Sequence, residues 1–191
     1  RQVLLRTGDR TPREELAKEV GLTLAELERL VFASETSILA ETGQISERQH
    51  WDTVLNALKV PDERREEFQR RFWMEDRVDD GLIEDIRQLQ KQYRTGLLSN
   101  AWDGIRPAII ERYPQMLEPF DVTVFSAEVV MRTPDPRYYQ WILDRLGVAA
   151  EEAVFIDDYP PNIEAAKRIG LKAIRFLTPH QIRRDLSALL N

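Results

Sequence analysis

From residue 80 to its end the chain alternates between stretches of helical and of strand character, and this alternation is its strongest constraint on fold. A helix is expected over 80–92, with Leu82, Ile86 and Leu89 on one face. A strand over 94–98 runs into Ser99-Asn100, and a helix over 102–113 follows. The next strand, 122–125, ends at Ser126; the helix over 136–146 is closed by Gly147. Residues 153–156 form a strand that ends at Asp157, then a helix over 162–169 closed by Gly170. A strand over 172–176 and a helix over 179–190, capped by Thr178 with Gln181 three residues on, complete the series. Ala153-Val154-Phe155-Ile156 is apolar on both faces, the mark of a strand covered by helices on either side. Alternation at this spacing implies right-handed βαβ units. The expected fold class is therefore α/β, a doubly wound parallel sheet.

Residues 11–73 read differently: every signal there is helical. Thr11-Pro12-Arg13-Glu14, Thr23-Leu24-Ala25-Glu26 and Ser46-Glu47-Arg48-Gln49 each have the form of a capping box. Gly21 and Gly43 mark stops, with a helix over 35–41 between them, and Pro61 opens a helix through Phe72. Phe68 and Phe72, four apart, share a face. Trp51, Trp73, Phe68 and Phe72 have the spacing of core residues, with a substrate pocket as the other reading. The expected organisation is an α/β core from 1–10 and 75–191, interrupted by a small all-helical domain over 11–74.

Bulk properties narrow the chemistry. The 191 residues are 42% hydrophobic and 31% charged, with net charge −6, which gives no sign of a nucleic-acid or membrane-surface partner. No cysteine is present, so thiolate catalysis and Cys-based zinc sites are excluded. Two histidines, His50 and His180, argue against a His-rich metal site or a His-based triad. No apolar run reaches membrane-spanning length and no signal-peptide pattern opens the chain, so a cytoplasmic location is expected.

In a doubly wound sheet the C-terminal strand ends share one edge, where ligands bind. Ser99-Asn100, Ser126 and Asp157-Asp158 fall on that edge. Paired carboxylates repel, more so when buried, and a hard cation such as Mg²⁺ relieves the repulsion. The other reading of Asp157 or Asp158 is the N-cap of the next helix. A hydroxyl and backbone amides at a strand-to-helix turn suit a phosphate oxygen.

Leu97-Leu98-Ser99-Asn100, Ser126-Ala127-Glu128, Pro134-Asp135-Pro136-Arg137-Tyr138-Tyr139 and Val154-Phe155-Ile156-Asp157-Asp158, with Asn162, Ala165, Ala166 and Gly170, together resemble the haloacid dehalogenase (HAD) superfamily. The likeness is to the subgroup with a helical cap inserted after the first strand, and it covers nearly the whole chain. It implies a Rossmann-like core and mostly Mg²⁺-dependent phosphate-ester hydrolysis through an aspartyl-phosphate. It also implies Ser99 as a ligand of a phosphate oxygen and Asp157 and Asp158 as metal ligands. Ser99, Asn100 and Arg132 are the catalytic candidates; Ser99, Asn100 and Trp102 are the substrate-binding candidates. The implied substrate is a small phosphorylated metabolite, and the cap is expected to close over it.

Two features depart from the pattern. Where the family has a lysine before the Pro-Asp-Pro turn, this chain has Thr133, with Arg132 one residue earlier. Arg132 either serves as the missing cation, with a planar fork in place of an ammonium, or is a solvated loop residue. The nucleophilic aspartate of the first strand is not visible either. In one register Val3-Leu4-Leu5-Arg6-Thr7 follows the nucleophile loop, and the aspartate lies upstream of Arg1. In the other, residues 2–5 are the first strand and Arg6 stands at the nucleophile position. The segment leading into the helical region favours the first register. Without a first strand, two inner strand edges face a gap, which upstream residues, residues 2–5 or a partner's strand would have to fill. Glu128 and Asp135 are the remaining acids near the site, and Asp135 is expected to cap the helix after Pro136. The leading expectation is a phosphatase; the alternatives are an inactive relative that binds or scaffolds and, last, a metal-independent 2-haloacid dehalogenase.

Overall fold

The computed structural model describes residues 3–190. Strand β1 (Leu5–Thr7) enters the helical region, made of α1 (Thr11–Glu19), α2 (Leu24–Ala33), α3 (Glu35–Glu41), α4 (Glu47–Ala57) and α5 (Arg65–Trp73). Strand β2 (Asp76–Val78) leaves it and pairs antiparallel with β1, Leu5 opposite Val78 and Thr7 opposite Asp76. The two linkers thus form one short ribbon. Leu5 to Thr7 therefore run beside the exit linker and not in the parallel sheet. Residue 2 of the rival register lies outside the described residues.

A buried arginine joins this ribbon to the helices. Arg13, 1% exposed, donates from Nε to the Phe72 carbonyl and from Nη2 to Asp76 Oδ1, both at 2.7 Å. Its guanidinium lies 4.3 Å from the Phe72 ring centroid. Thr7 Oγ1 donates to the same Asp76 oxygen.

The Thr23 and Ser46 capping boxes form as expected, each closed by the side chain three residues on. The Thr11 box does not. Helix α1 already includes Thr11, its cap position Arg10 makes no side-chain bond, and Asp9 accepts from the Thr11 amide instead. Leu16, Leu27, Val31, Trp51, Leu55, Phe68 and Phe72 form the buried core of the helical region. The core reading of Trp51, Phe68 and Phe72 therefore holds.

The rest alternates as the pattern requires: α6 (Asp80–Gln90), β3 (Gly96–Ser99), α7 (Ile105–Arg112), β4 (Val122–Phe125), α8 (Ser126–Val129), α9 (Pro136–Leu146), β5 (Val154–Asp157), α10 (Pro160–Arg168), β6 (Lys172–Arg175) and α11 (Pro179–Leu190). β3 pairs parallel with β4, Ser99 opposite Phe125. β5 pairs parallel with β6, Asp157 opposite Arg175. Among the described residues no ladder joins the two pairs. They nonetheless sandwich between the same two layers. Leu97 and Ile156 face a cluster holding Leu82, Ile83, Ile109 and Ile182 of α6, α7 and α11. Leu98 and Phe155, on the opposite face, meet Tyr139, Leu143, Ala165 and Ala166 of α9 and α10. This is a Rossmann-like α/β core whose sheet is open between β3 and β5.

Candidate active site

Ser99 ends β3. Its carbonyl accepts from the Tyr138 hydroxyl at 2.8 Å, and burial pushes the Tyr138 phenol far up, so it stays a donor. The Ser99 hydroxyl has no partner among the described residues and is available to a ligand. Asn100, one residue on, is fully engaged at its amide end. Its Nδ2 donates to Thr133 Oγ1 at 2.8 Å, and its Oδ1 accepts the Thr133 backbone N–H at 2.9 Å. Thr133 is buried and its bond to Pro134 is cis. The residue at the expected lysine position is therefore a neutral clamp on Asn100. Ser126, fully buried, pins the loop after β3: it accepts from the Ala101 N–H at 2.9 Å and lies 3.2 Å from the Ala101 carbonyl.

Asp157 ends β5 on the far side of the opening. Oδ1 accepts the Tyr159 N–H at 2.7 Å and Oδ2 accepts Asn162 Nδ2 at 3.0 Å. Burial holds its carboxyl above the usual carboxylate range, with the adjacent Asp158 adding to the rise. The plain-cap reading does not hold for either acid: the cap position of α10 is Tyr159, with no side-chain cap bond. Asp157 instead stabilises the turn two residues on. Its remaining lone pairs suit a hard cation, and Asp157 with the likewise half-buried Asp158 would hold it. Among the described residues no third acid, His or Cys completes a metal cluster.

Arg132 does not stand free. Its Nε lies 2.7 Å from Glu41 Oε2 of α3, so an ion pair crosses from the loop after β4 to the helical region. Trp102 is turned away from the strand edge: it is 4% exposed and packs into the helical core, its ring 4.6 Å from that of His50 and 6.1 Å from that of Trp51. The other acids are spoken for. Glu128 pairs with Arg106, and Asp135 caps α9 through the Arg137 N–H at 2.9 Å, as expected. The Arg137 guanidinium beside it holds Asp135 below the usual range. Sequence reasoning noted Asn162 and Tyr138 without a role. It missed Glu41, which carries no motif and gains meaning only from its position opposite Arg132.

An α/β core with acids at one strand edge, a hydroxyl at the next and a helical cap over the loops between them defines a class of hydrolase. The chain belongs to the haloacid dehalogenase-like hydrolases, whose family profile matches residues 5–170. It is 29% identical over 144 residues to a phosphorylated carbohydrates phosphatase of Thermotoga maritima, covering 68% of this chain and 63% of that one. It is 28% identical over 189 residues to a phosphatase of Mycobacterium tuberculosis, covering 92% and 85%. It is also 31% identical over 88 residues to the bifunctional epoxide hydrolase 2 of Mus musculus, 44% of this chain but 16% of that protein. The chain thus spans under two thirds of several curated relatives. A HAD-family enzyme of Bacteroides thetaiotaomicron, solved with magnesium and inorganic phosphate, shares the fold with a TM-score of 0.75 at 20% identity, covering 94% of this chain and 91% of that one. No helix among the described residues is long and apolar enough to cross a membrane.

Proposed function

We propose that this chain is the catalytic unit of a Mg²⁺-dependent phosphatase acting on a small phosphorylated metabolite through an aspartyl-phosphate. The observation that carries it is the gap between the β3 and β5 pairs among the described residues, with a serine hydroxyl on one rim and the half-buried Asp157 carboxylate on the other. A strand seated there would place an aspartate between Ser99 and Asp157. In the family's chemistry that carboxylate oxygen bonds to phosphorus as the ester P–O bond breaks and its electron pair leaves with the alkoxide. Ser99 would hold one phosphate oxygen, and the loop over 99–102, braced by Ser126 and Thr133, would keep its amides in place. Bound Mg²⁺ would offset phosphate charge beside Asp157 and Asp158. Arg132 would supply the positive charge that Thr133 lacks. The names of the two phosphatase relatives support a phosphate ester, and that of the Thermotoga maritima protein a sugar phosphate.

The second reading, an inactive relative that binds but does not turn over, is favoured by Thr133, which carries no charge and is committed to Asn100. One assay separates them: Mg²⁺-dependent phosphate release from an aryl phosphate, beside Asp157→Asn. Release that requires Mg²⁺ and disappears in the variant supports the phosphatase. Phosphate binding without release, on a protein carrying a strand in the opening, supports the inactive reading.

A further inference from the structure

Glu41 belongs to the helical region and has no place in the family pattern, yet its side chain is only 10% exposed and ends on Arg132. The contact is an ion pair made by one nitrogen, Nε, without the alignment of a hydrogen bond. The two Nη groups of Arg132 make no hydrogen bond among the described residues, although the side chain is 25% exposed. A guanidinium gripped at Nε keeps its other face as a planar, two-pronged donor that matches two oxygens of a phosphate. The fork sits next in sequence to Thr133, whose backbone N–H and hydroxyl lock onto Asn100 at the end of β3. The grip comes from the C-terminal end of α3, close to where Gly43 abuts Ala127 of α8, so it exists while cap and core are in contact.

We propose that Glu41 is a positioning residue: it orients Arg132 from the cap so that the guanidinium fork engages the substrate's anionic group, replacing the charge absent at Thr133. This rests on the phosphatase reading and adds to it a cap-dependent anion site. A carboxylate at 41 does not touch substrate. Its effect passes through Arg132 and rests on the negative charge it holds against Nε.

Titration calorimetry with inorganic phosphate in the presence of Mg²⁺ tests this on the intact chain and on R132A, R132K, E41A and E41Q, with thermal melting to verify folding. R132A and R132K are both expected to weaken phosphate binding by roughly tenfold, because the lysine keeps the charge and loses the fork. E41A and E41Q are both expected to weaken it by roughly fivefold, since the charge of the carboxylate, not an aligned hydrogen bond, does the orienting. Equal affinity in E41A and the unaltered chain, with R132A weakened, removes Glu41 from the role. Affinity unchanged in R132A, or retained by R132K, overturns the anion fork and leaves the phosphatase reading intact. No phosphate binding by the unaltered chain overturns both. If E41A melts before it can be titrated, R132K and E41Q decide: the proposal requires both to bind weakly.

Discussion

The partly buried Asp157 carboxylate is costly to the fold. Its carboxyl is held above the ordinary range by burial, so the unfolded chain gives up its proton at lower pH than the folded one. A raised acid works against the fold as pH climbs above the unfolded value, and the cost is complete above the folded one. Asp157→Asn is therefore expected to raise the melting temperature at pH 7 without metal and to leave it unchanged near pH 3. Millimolar Mg²⁺ is expected to raise the melting temperature of the unaltered chain and not that of the variant. Arg13 presents the opposite case. Its guanidinium satisfies Asp76, which is 4% exposed, and the Phe72 carbonyl together. Arg13→Ala leaves a buried carboxylate without its cation and is expected to cost about 3–5 kcal/mol in urea unfolding. Asp76→Asn in that background is expected to recover part of the loss.

At the level of elements, the cap is fastened to the core by packing as well as by charge. Trp102, from the loop after β3, inserts among His50, Trp51 and Trp73. His50 Nε2 donates to the Val31 carbonyl at 2.9 Å, Nδ1 lies 2.9 Å from the Thr36 hydroxyl oxygen, and burial lowers the ring's pKa. Its neutral form is the one that fits. A lowered histidine contributes stability above its unfolded pKa, and that contribution is lost as pH falls from about 6.5 toward the folded value. Tryptophan fluorescence is expected to shift as pH is lowered below 6, and the shift to vanish in His50→Asn. Gly43 marks the closest backbone approach: its φ is +65° and a Cβ there would stand 2.7 Å from the Ala127 carbonyl oxygen. Gly43→Ala is expected to pry the end of α3 from α8 and, through Glu41, to weaken phosphate binding.

On the largest scale the gap between the two strand pairs of the described residues is decisive. Ladder hydrogen bonds in a parallel pair alternate along each strand. Lys172 donates to the Ala153 carbonyl and Phe176 to that of Asp157, so the amides of Val154 and Ile156 face away from β6. By the same alternation, with Val122 donating to the Thr95 carbonyl, the Leu98 amide faces away from β4. Hydrogen exchange on this chain is expected to be fast at Leu98 and Ile156 and slow at Phe155 and Leu97. A strand seated between them would slow all of these, and equal protection at all positions without one would rule out the open edge.

Much of this was legible beforehand. Helices α3, α9 and α11 and strand β4 fall on the expected residues, because Gly, Pro and capping side chains punctuate them. Strands β3 and β5 begin two and one residues later than expected and each end one residue further, at Ser99 and Asp157, which keeps both residues on the rim where motif spacing placed them. Strand β2 escaped notice: three residues paired across the mouth of an insertion carry no local period. By itself, then, the sequence determined the alternation, the cap and the acids at the strand ends, all of which rest on neighbours within a turn or a strand. Only the tertiary structure decided that Trp102 belongs to the cap, that Thr133 clamps Asn100, that Glu41 grips Arg132 and that the two strand pairs stand apart. Each of these joins residues some thirty or more positions distant or crosses the cap–core boundary, where partner choice is set by packing and burial and leaves no trace in local pattern.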